Sequence, residues 1–273
     1  MVTAVPGIVT GMWIGVDPGS GGLLIPAPGE CVQSVVARHM RLFPGTRIMR
    51  VPGAVDALPG WHSPALAAVP TGVVPHVLFR QFDLAAVLEW FDRMPAGRSL
   101  VWLTYHHDAD SGLSPRLYRD RWRRLAQAVY GHRNRARVRL VPVFSLVWAR
   151  RAGNDWRHWW PEVGDYMGWN CYQEPWTNRY ERPAELLRTA VKAAEQVEMP
   201  LVVPELGAIR MPSDPDGLNR AAWMRGCVEY LRTSGCRSVS WWCANGPERR
   251  GHTMHLDLAV PERRVWQELS ATQ

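Results

Sequence analysis

Lysine is all but missing from this chain: of 32 lysine and arginine residues, only Lys192 is lysine. The arginines are spread along the sequence, so the formal net charge of +7 is a weak pointer to a polyanion. Their densest cluster, Arg116 to Arg139, falls on a predicted helix and the loop after it. It reads as a solvated helix face and not as a nucleic-acid stripe. Also absent is any run of about eighteen apolar residues, which leaves no candidate for a membrane-spanning helix. Met1 to Gly7 shows neither a basic n-region nor a continuous apolar h-region, so no signal peptide is expected. Location stays open between the cytosol, export by another route, and a larger assembly such as a phage tail. The five cysteines (Cys31, Cys171, Cys227, Cys236 and Cys243) form no C-x-x-C pair and no zinc spacing. The glycine-rich stretch Asp17 to Gly22 has neither the G-x-G-x-x-G spacing nor a Walker lysine. It reads as a loop after the first strand, and no cofactor is implied.

What the chain does carry is apolar and aromatic. Hydrophobic residues make up 47% and charged residues 21% of 273 residues, the composition of a globular domain. Tryptophan occurs 15 times, against 7 tyrosines and 5 phenylalanines. Indole faces pack on the apolar face of a sugar ring while the ring N–H stays free to donate; the plainer reading is a tryptophan-rich core. Eight short apolar runs cover 11–16, 47–51, 73–79, 100–105, 138–146, 166–172, 201–205 and 238–243. Near-continuous apolar runs rich in valine and leucine fit strands buried on both faces, which means a parallel sheet.

Helical patterns lie between them. Ser114-Pro115 reads as an N-cap followed by a first-turn proline, with Leu117, Tyr118, Trp122, Leu125 and Val129 recurring at helical spacing. Pro183 opens a second amphipathic stretch, Trp223 to Leu231 forms a third stripe, and 31–43, 82–93 and 261–269 supply further helices. Around 154–161 the helical signal is poor. With no internal repeat and no linker, the expectation is an α/β fold, a single (β/α)8 TIM barrel over residues 1–273. A doubly wound open sheet is the alternative.

Two of the runs end on ionisable groups. Leu201-Val-Val-Pro-Glu205 stops at a carboxylate, and a lone acid at the end of a buried strand is costly unless it is paired or partly solvated. Leu100 to Tyr105 runs into His106-His107-Asp108-Ala109-Asp110. Two distant strands delivering proton-active groups at their C-terminal ends are how a parallel α/β enzyme builds a site.

Residues 102–110, Val163 to Tyr172, Pro200 to Gly207 and Val239 to Asn245 together resemble the mannanase-like family 26 glycoside hydrolases and related (β/α)8-barrel glycosidases. Over the first hundred residues the likeness rests on strand order. The resemblance implies that Glu205 is the catalytic nucleophile. It also implies that the Gly-Trp-(Asp/Asn)-x-Tyr motif, here Gly168, Trp169, Asn170 and Tyr172, lines a sugar subsite. The family's His-Glu pair on the fourth strand is not matched. Its acid/base position falls on His107 when aligned from Trp102, and on Asp108 when aligned on the nearest His-acid pair.

The candidate catalytic residues are therefore Glu205, Asp108 and His107, with Trp169, Asn170, Tyr172, Trp241, Trp242, Tyr105 and His106 as candidate substrate-binding residues. The expected partner is a carbohydrate; neither nucleic acid nor a membrane is expected, and protein partners are unknown. Retaining hydrolysis uses two carboxyls about 5–5.5 Å apart and inverting hydrolysis about 6.5–9.5 Å. An aspartate, one methylene shorter than glutamate, widens that gap by roughly 1–1.5 Å. A bell-shaped rate profile near neutral pH is expected of an enzyme. The missing glutamate also fits a glycan-binding barrel without turnover.

A metal site from His106, His107, Asp108, Asp110 and Glu205 is a third reading, weakened because consecutive strand residues face opposite ways. His252 and His255 read as surface histidines. Arg80 and Gln81, at the end of the third strand, read either as contacts to a sugar hydroxyl or, for the arginine, as a salt-bridge partner; Arg50, after the second strand, is open in the same way, and Asp165 reads as a cap or an arginine partner.

Overall fold

A computed structural model describes residues 12–17 (backbone alone at 13–17), 30–51, 57–108, 112–174, 178–242 and 260–271. The loop 18–22, Asp110, Cys243, Asn245, His252 and His255 lie outside the described residues. The strand segments are β1 Trp13–Asp17, β2 Ile48–Arg50, β3 Val74–Phe79, β4 Val101–Tyr105, β5 Val138–Leu140, β6 Val143–Ser145, β7 Met167–Tyr172, β8 Leu201–Gly207 and β9 Ser238–Trp242. All pairings are parallel, in the order β5-β4-β3-β2-β1-β9-β8-β7-β6.

The two ends of that order are halves of one strand. β5 bonds to β4 and β6 to β7, and only Val141-Pro142 separates them. Proline has no N–H to give a ladder, which breaks the regular pattern there. Inward and outward sides nonetheless alternate without a slip. Val138, Leu140 and Phe144 belong to the outer core, while Val141 and Val143 belong to the inner one. Ladder bonds continue through the break, with Val141 N–H donating to the Leu103 carbonyl at 2.9 Å and Gly168 N–H to the Pro142 carbonyl at 2.8 Å. Eight strands therefore close into a (β/α)8 barrel.

The helices are α1 Val32–Leu42, α2 Pro64–Ala68, α3 Leu84–Asp92, α4 Pro115–Tyr130, α5 Leu146–Ala149, α6 Pro183–Gln196, α7 Leu218–Thr233 and α8 Val260–Ala271. The Ser114 hydroxyl caps α4 at Leu117 N–H, 3.3 Å away, with Pro115 in the first turn, as the sequence pattern anticipates. The short α2 is not anticipated; it is five residues long and shows no periodicity to read. After β6 only α5 and a 3-10 turn, Trp156–His158, stand in for a full helix. Among the described residues no helix is long and apolar enough to cross a membrane.

Most arginines of the 116–139 cluster are engaged within the fold. Arg121 donates to the Tyr105 phenol at 2.9 Å, Arg123 pairs with Glu162 at 2.7 Å, Arg135 pairs with Asp165, and Arg137 binds the Pro95 and Arg98 carbonyls. Asp165 also accepts from Leu140 N–H at 2.7 Å, so the cap and the arginine partner are one residue. A less expected ion pair is internal. Arg220 and Glu262, both fully buried, join α7 to α8 at 2.6 Å.

The barrel floor is Ile48, Val74, Trp102, Val141, Val143 and Val202, closed by Tyr166, whose ring lies 4.8 Å from Trp102. Gly168 is what lets this layer fill. A Cβ there would stand 2.7 Å from Val143 Cγ2 and 3.0 Å from Val141 Cγ1. Gly168→Ala is expected to destabilise the barrel by about 1–3 kcal/mol through overpacking, measured by denaturant unfolding. An unchanged midpoint would show that the closing strand yields freely.

Candidate active site

Glu205 faces the barrel interior because β8 carries one residue too many. Gly168 pairs with Val202 and Asn170 with Glu205, so three steps on β8 oppose two on β7. Val203 pairs with Val239 and Leu206 with Trp241, the same mismatch against β9. This is a β-bulge, and the extra residue lies in the stretch that holds Pro204, which supplies no ladder donor. Val202 points inward and Val203 outward. Strict alternation would send Pro204 in and Glu205 out; the bulge restores Glu205 to the inner face, level with Asn170. The residue is 4% exposed.

Buried there, the carboxylate is held by two donors. Arg50, the last residue of β2, forms an ion pair with Oε1, and the Tyr172 phenol at the end of β7 donates to Oε2. Both donors favour the charged carboxylate. Trp242 completes the wall from the end of β9. Its ring meets Tyr172 edge-on at 6.3 Å, and the Arg50 guanidinium lies 5.4 Å from its centroid. All four side chains are at the C-terminal ends of their strands, where barrels of this kind keep their sites. Glu205 is thus salt-linked at the mouth and not at the floor.

The chain leaves β4 through two residues in the left-handed region, His106 (φ 47°) and Asp108 (φ 52°). This kinked exit splits the three ionisable neighbours. Asp108, about a third exposed, accepts from Asn170 Nδ2 at 3.0 Å. Its other oxygen lies 3.8 Å from His107 Nε2. His107 is held neutral, with its pKa pushed down to about 2 by burial and then by the charges of Arg50 and Arg80. One step deeper, Thr104 donates its only hydroxyl proton to the Val141 carbonyl at 2.7 Å. His76 Nε2, 2.7 Å from the Thr104 hydroxyl oxygen, must therefore carry its own proton. Burial and the Arg50 charge push the His76 pKa down to about 3. Two buried atoms flank Asp108 without a hydrogen-bond partner among the described residues: Asn170 Oδ1 and His107 Nδ1.

Four of the sequence-predicted binding residues are corrected. Tyr105, Trp169 and Trp241 sit at odd steps from the inward residues and face the helix layer. Tyr105 packs on Phe79, Phe82 and Tyr118, Trp169 on Phe144 and Trp156, and Trp241 on Trp223 and Trp266. All three are 0% exposed, so these aromatics are core and cannot wall a cleft. His106 turns the same way, edge-on to Tyr118 of α4 at 6.4 Å. Among the described residues no group of three or more His, Cys, Asp or Glu could hold a metal ion. The described cysteines, Cys31, Cys171, Cys227 and Cys236, are all free thiols. The structure does bring Glu205, Asp108, His107, Asn170, Tyr172 and Trp242 to one end of the barrel. It adds Arg50, whose strand-end position was its only sequence signal, and His76 from within β3, which no sequence signal marked.

Solved glycosidases share this architecture. The catalytic domain of a Bacillus sp. JAMB-750 GH26 endo-β-1,4-mannanase superposes with a TM-score of 0.63 and 11% identity, over 96% of this chain and 86% of that one. An endo-β-1,4-mannanase from Thermotoga petrophila gives 0.57 and 10%, over 98% and 78%. A GH128 endo-β-1,3-glucanase from Amycolatopsis mediterranei, in complex with laminaripentaose, gives 0.55 and 14%, over 94% and 99%. At these identities the likeness shows the fold alone, a (β/α)8 barrel. No protein-family model and no curated protein matches the sequence.

Proposed function

We propose that the protein hydrolyses a β-linked poly- or oligosaccharide, with Glu205 as nucleophile and Asp108 as acid/base. The observation that carries this reading is the bulge in β8, which aims a buried carboxylate into the barrel mouth against Arg50 and Tyr172. Two carboxyls in unlike settings are what glycoside cleavage requires. Glu205 is enclosed by two donors, Arg50 and Tyr172. Asp108 is the more exposed of the two and stands where a leaving oxygen could collect its proton. His107, neutral across the working pH range, is a poor proton donor, and its place is beside Asp108 as a neighbour. The orphaned Asn170 Oδ1 suits a sugar hydroxyl, since a buried acceptor left unpaired costs about 1–3 kcal/mol. Trp242 supplies the apolar wall for the ring. Mannanase and glucanase neighbours support the substrate class.

Reducing-end release from a panel of β-mannans and β-glucans tests the reading. Turnover by the wild type that is lost in Asp108→Asn supports it; no turnover on any β-linked substrate counts against it. A glycan-binding barrel without turnover is the second reading, favoured by the absence of a glutamate beyond β4. It predicts binding with no released ends.

The bulge supplies a further prediction. Pro204→Val restores a ladder donor and favours a regular β8, which would turn Glu205 toward the helix layer. Because displacement of a reacting group by about 1 Å can cost about 100-fold, kcat is expected to fall at least that far. A kcat within threefold of wild type would show that Pro204 does not set the aim.

A further inference from the structure

A cavity lies between the segment before α2 and one face of α3, and none of the residues placed at the barrel mouth lines it. It has a volume of about 700 Å³, with Phe79 and Trp61 among its apolar lining and His62, Gln81 and Asp83 among its polar lining. Its aromatic wall is built by cross-linking two segments. Trp61 Nε1 donates to the Trp90 carbonyl and Trp90 Nε1 to the Pro59 carbonyl, each at 2.7 Å, while the rings stack at 4.0 Å and 22°. Both indole N–H groups are thereby satisfied inside the protein, and what the pair presents to the cavity is carbon. Holding the wall in place before a ligand arrives lowers the ordering cost of binding.

The rim is polar and mixed. His62, Gln81, Asp83 and Glu89 are exposed, and Arg93 pairs with Glu89. One Asp83 oxygen caps α3 at Ala86 N–H, 3.0 Å away. With two carboxylates against one guanidinium, the rim disfavours an anion. A rigid carbon-faced wall beneath a ring of imidazole, amide and carboxylate groups matches a ligand with apolar C–H faces and many hydroxyls. The volume has room for roughly two pyranose rings. We infer that this cavity is an accessory binding site for a neutral oligosaccharide, separate from the barrel mouth. It does not depend on catalysis at Glu205.

The test is calorimetric titration of the full chain with mannopentaose, cellopentaose and laminaripentaose. The rim residues are exposed, so His62→Ala and Gln81→Ala should keep the wild-type melting temperature where Trp61→Ala would not. The double variant is expected to weaken the accessory site at least tenfold, while Trp242→Ala leaves that site intact and removes only the barrel-mouth site. Binding that persists in Trp242→Ala and disappears with the rim double variant supports the inference, even if the barrel mouth binds nothing. Three results would overturn it. The first is a single site lost in Trp242→Ala and indifferent to the rim substitutions; the second is no binding of any of the three sugars. The third is capture of adenosine instead, which would make the cavity a site for a flat aromatic ligand.

Discussion

Glu205→Ala is expected to lower kcat on a β-linked oligosaccharide by about 10⁴-fold or more, the scale seen when a covalent nucleophile is removed. The substitution also leaves Arg50, only 12% exposed, without its carboxylate. Breaking one side of a buried pair costs about 3–5 kcal/mol, because the remaining charge has lost its partner. Loss of activity and loss of stability must therefore be separated. Glu205→Gln does this: the amide keeps the size and an acceptor for Arg50, so most of the stability should return while turnover does not. Sugar affinity within about tenfold of wild type in the glutamine variant, with no released ends, is the expected pair of results. Turnover retained in Glu205→Gln would remove Glu205 from the chemistry.

Stability should fall steeply in acid. His39, His76 and His107 are buried neutral, with pKa values pushed down to about 3, 3 and 2 by burial, helped by Arg50 at the last two. Above their ordinary value near 6.5 both folded and unfolded chains leave them neutral, and they contribute no pH dependence. Below it the unfolded chain takes up protons that the folded barrel refuses, so each histidine subtracts about 1.4 kcal/mol per pH unit. Three together subtract about 4 kcal/mol per unit until the folded values are reached near pH 3. A domain holds about 5–15 kcal/mol in all, so the melting temperature is expected to drop sharply between pH 6.5 and 4.5. Changing His39 or His76 to glutamine should each flatten that slope by about a third. A melting temperature that stays level from pH 7 to 4.5 would mean these imidazoles are protonated in the folded barrel.

The barrel was legible because its strands are short apolar runs in series, and each predicted run coincides with an observed strand to within a few residues. The fifth run, 138–146, appears as β5 and β6 because Pro142 interrupts its ladder. Faces were harder to read. A strand buried on both sides carries apolar residues at every step, so nothing in Gly168-Trp169-Asn170 or Trp241-Trp242 marks which residue looks inward. Trp169 and Trp241 read as cleft residues for that reason; Trp169 lies between Gly168 and Asn170, the partners of inward-facing Val202 and Glu205, and Trp241 pairs with outward-facing Leu206, so both rings fall in the outer core. Glu205 itself was found by chemistry, since a lone acid ending an apolar run demands a partner. Simple alternation along Leu201-Val-Val-Pro-Glu would have turned it the wrong way. Arg50 and His76 were missed as contributors because their partners are far away in sequence, 155 residues (205 − 50) in the case of Arg50 and Glu205.

The central claim is that Asp108 and Glu205 flank one glycosidic bond. A crystal structure of Glu205→Gln with a bound β-linked oligosaccharide tests it most directly. The expected geometry puts the glycosidic oxygen within about 3.2 Å of an Asp108 carboxyl oxygen. The anomeric carbon should face residue 205, with one ring against Trp242. A sugar lying across the mouth with both side chains on one face of the ring, or with Asp108 about 10 Å from the linkage, would contradict the account.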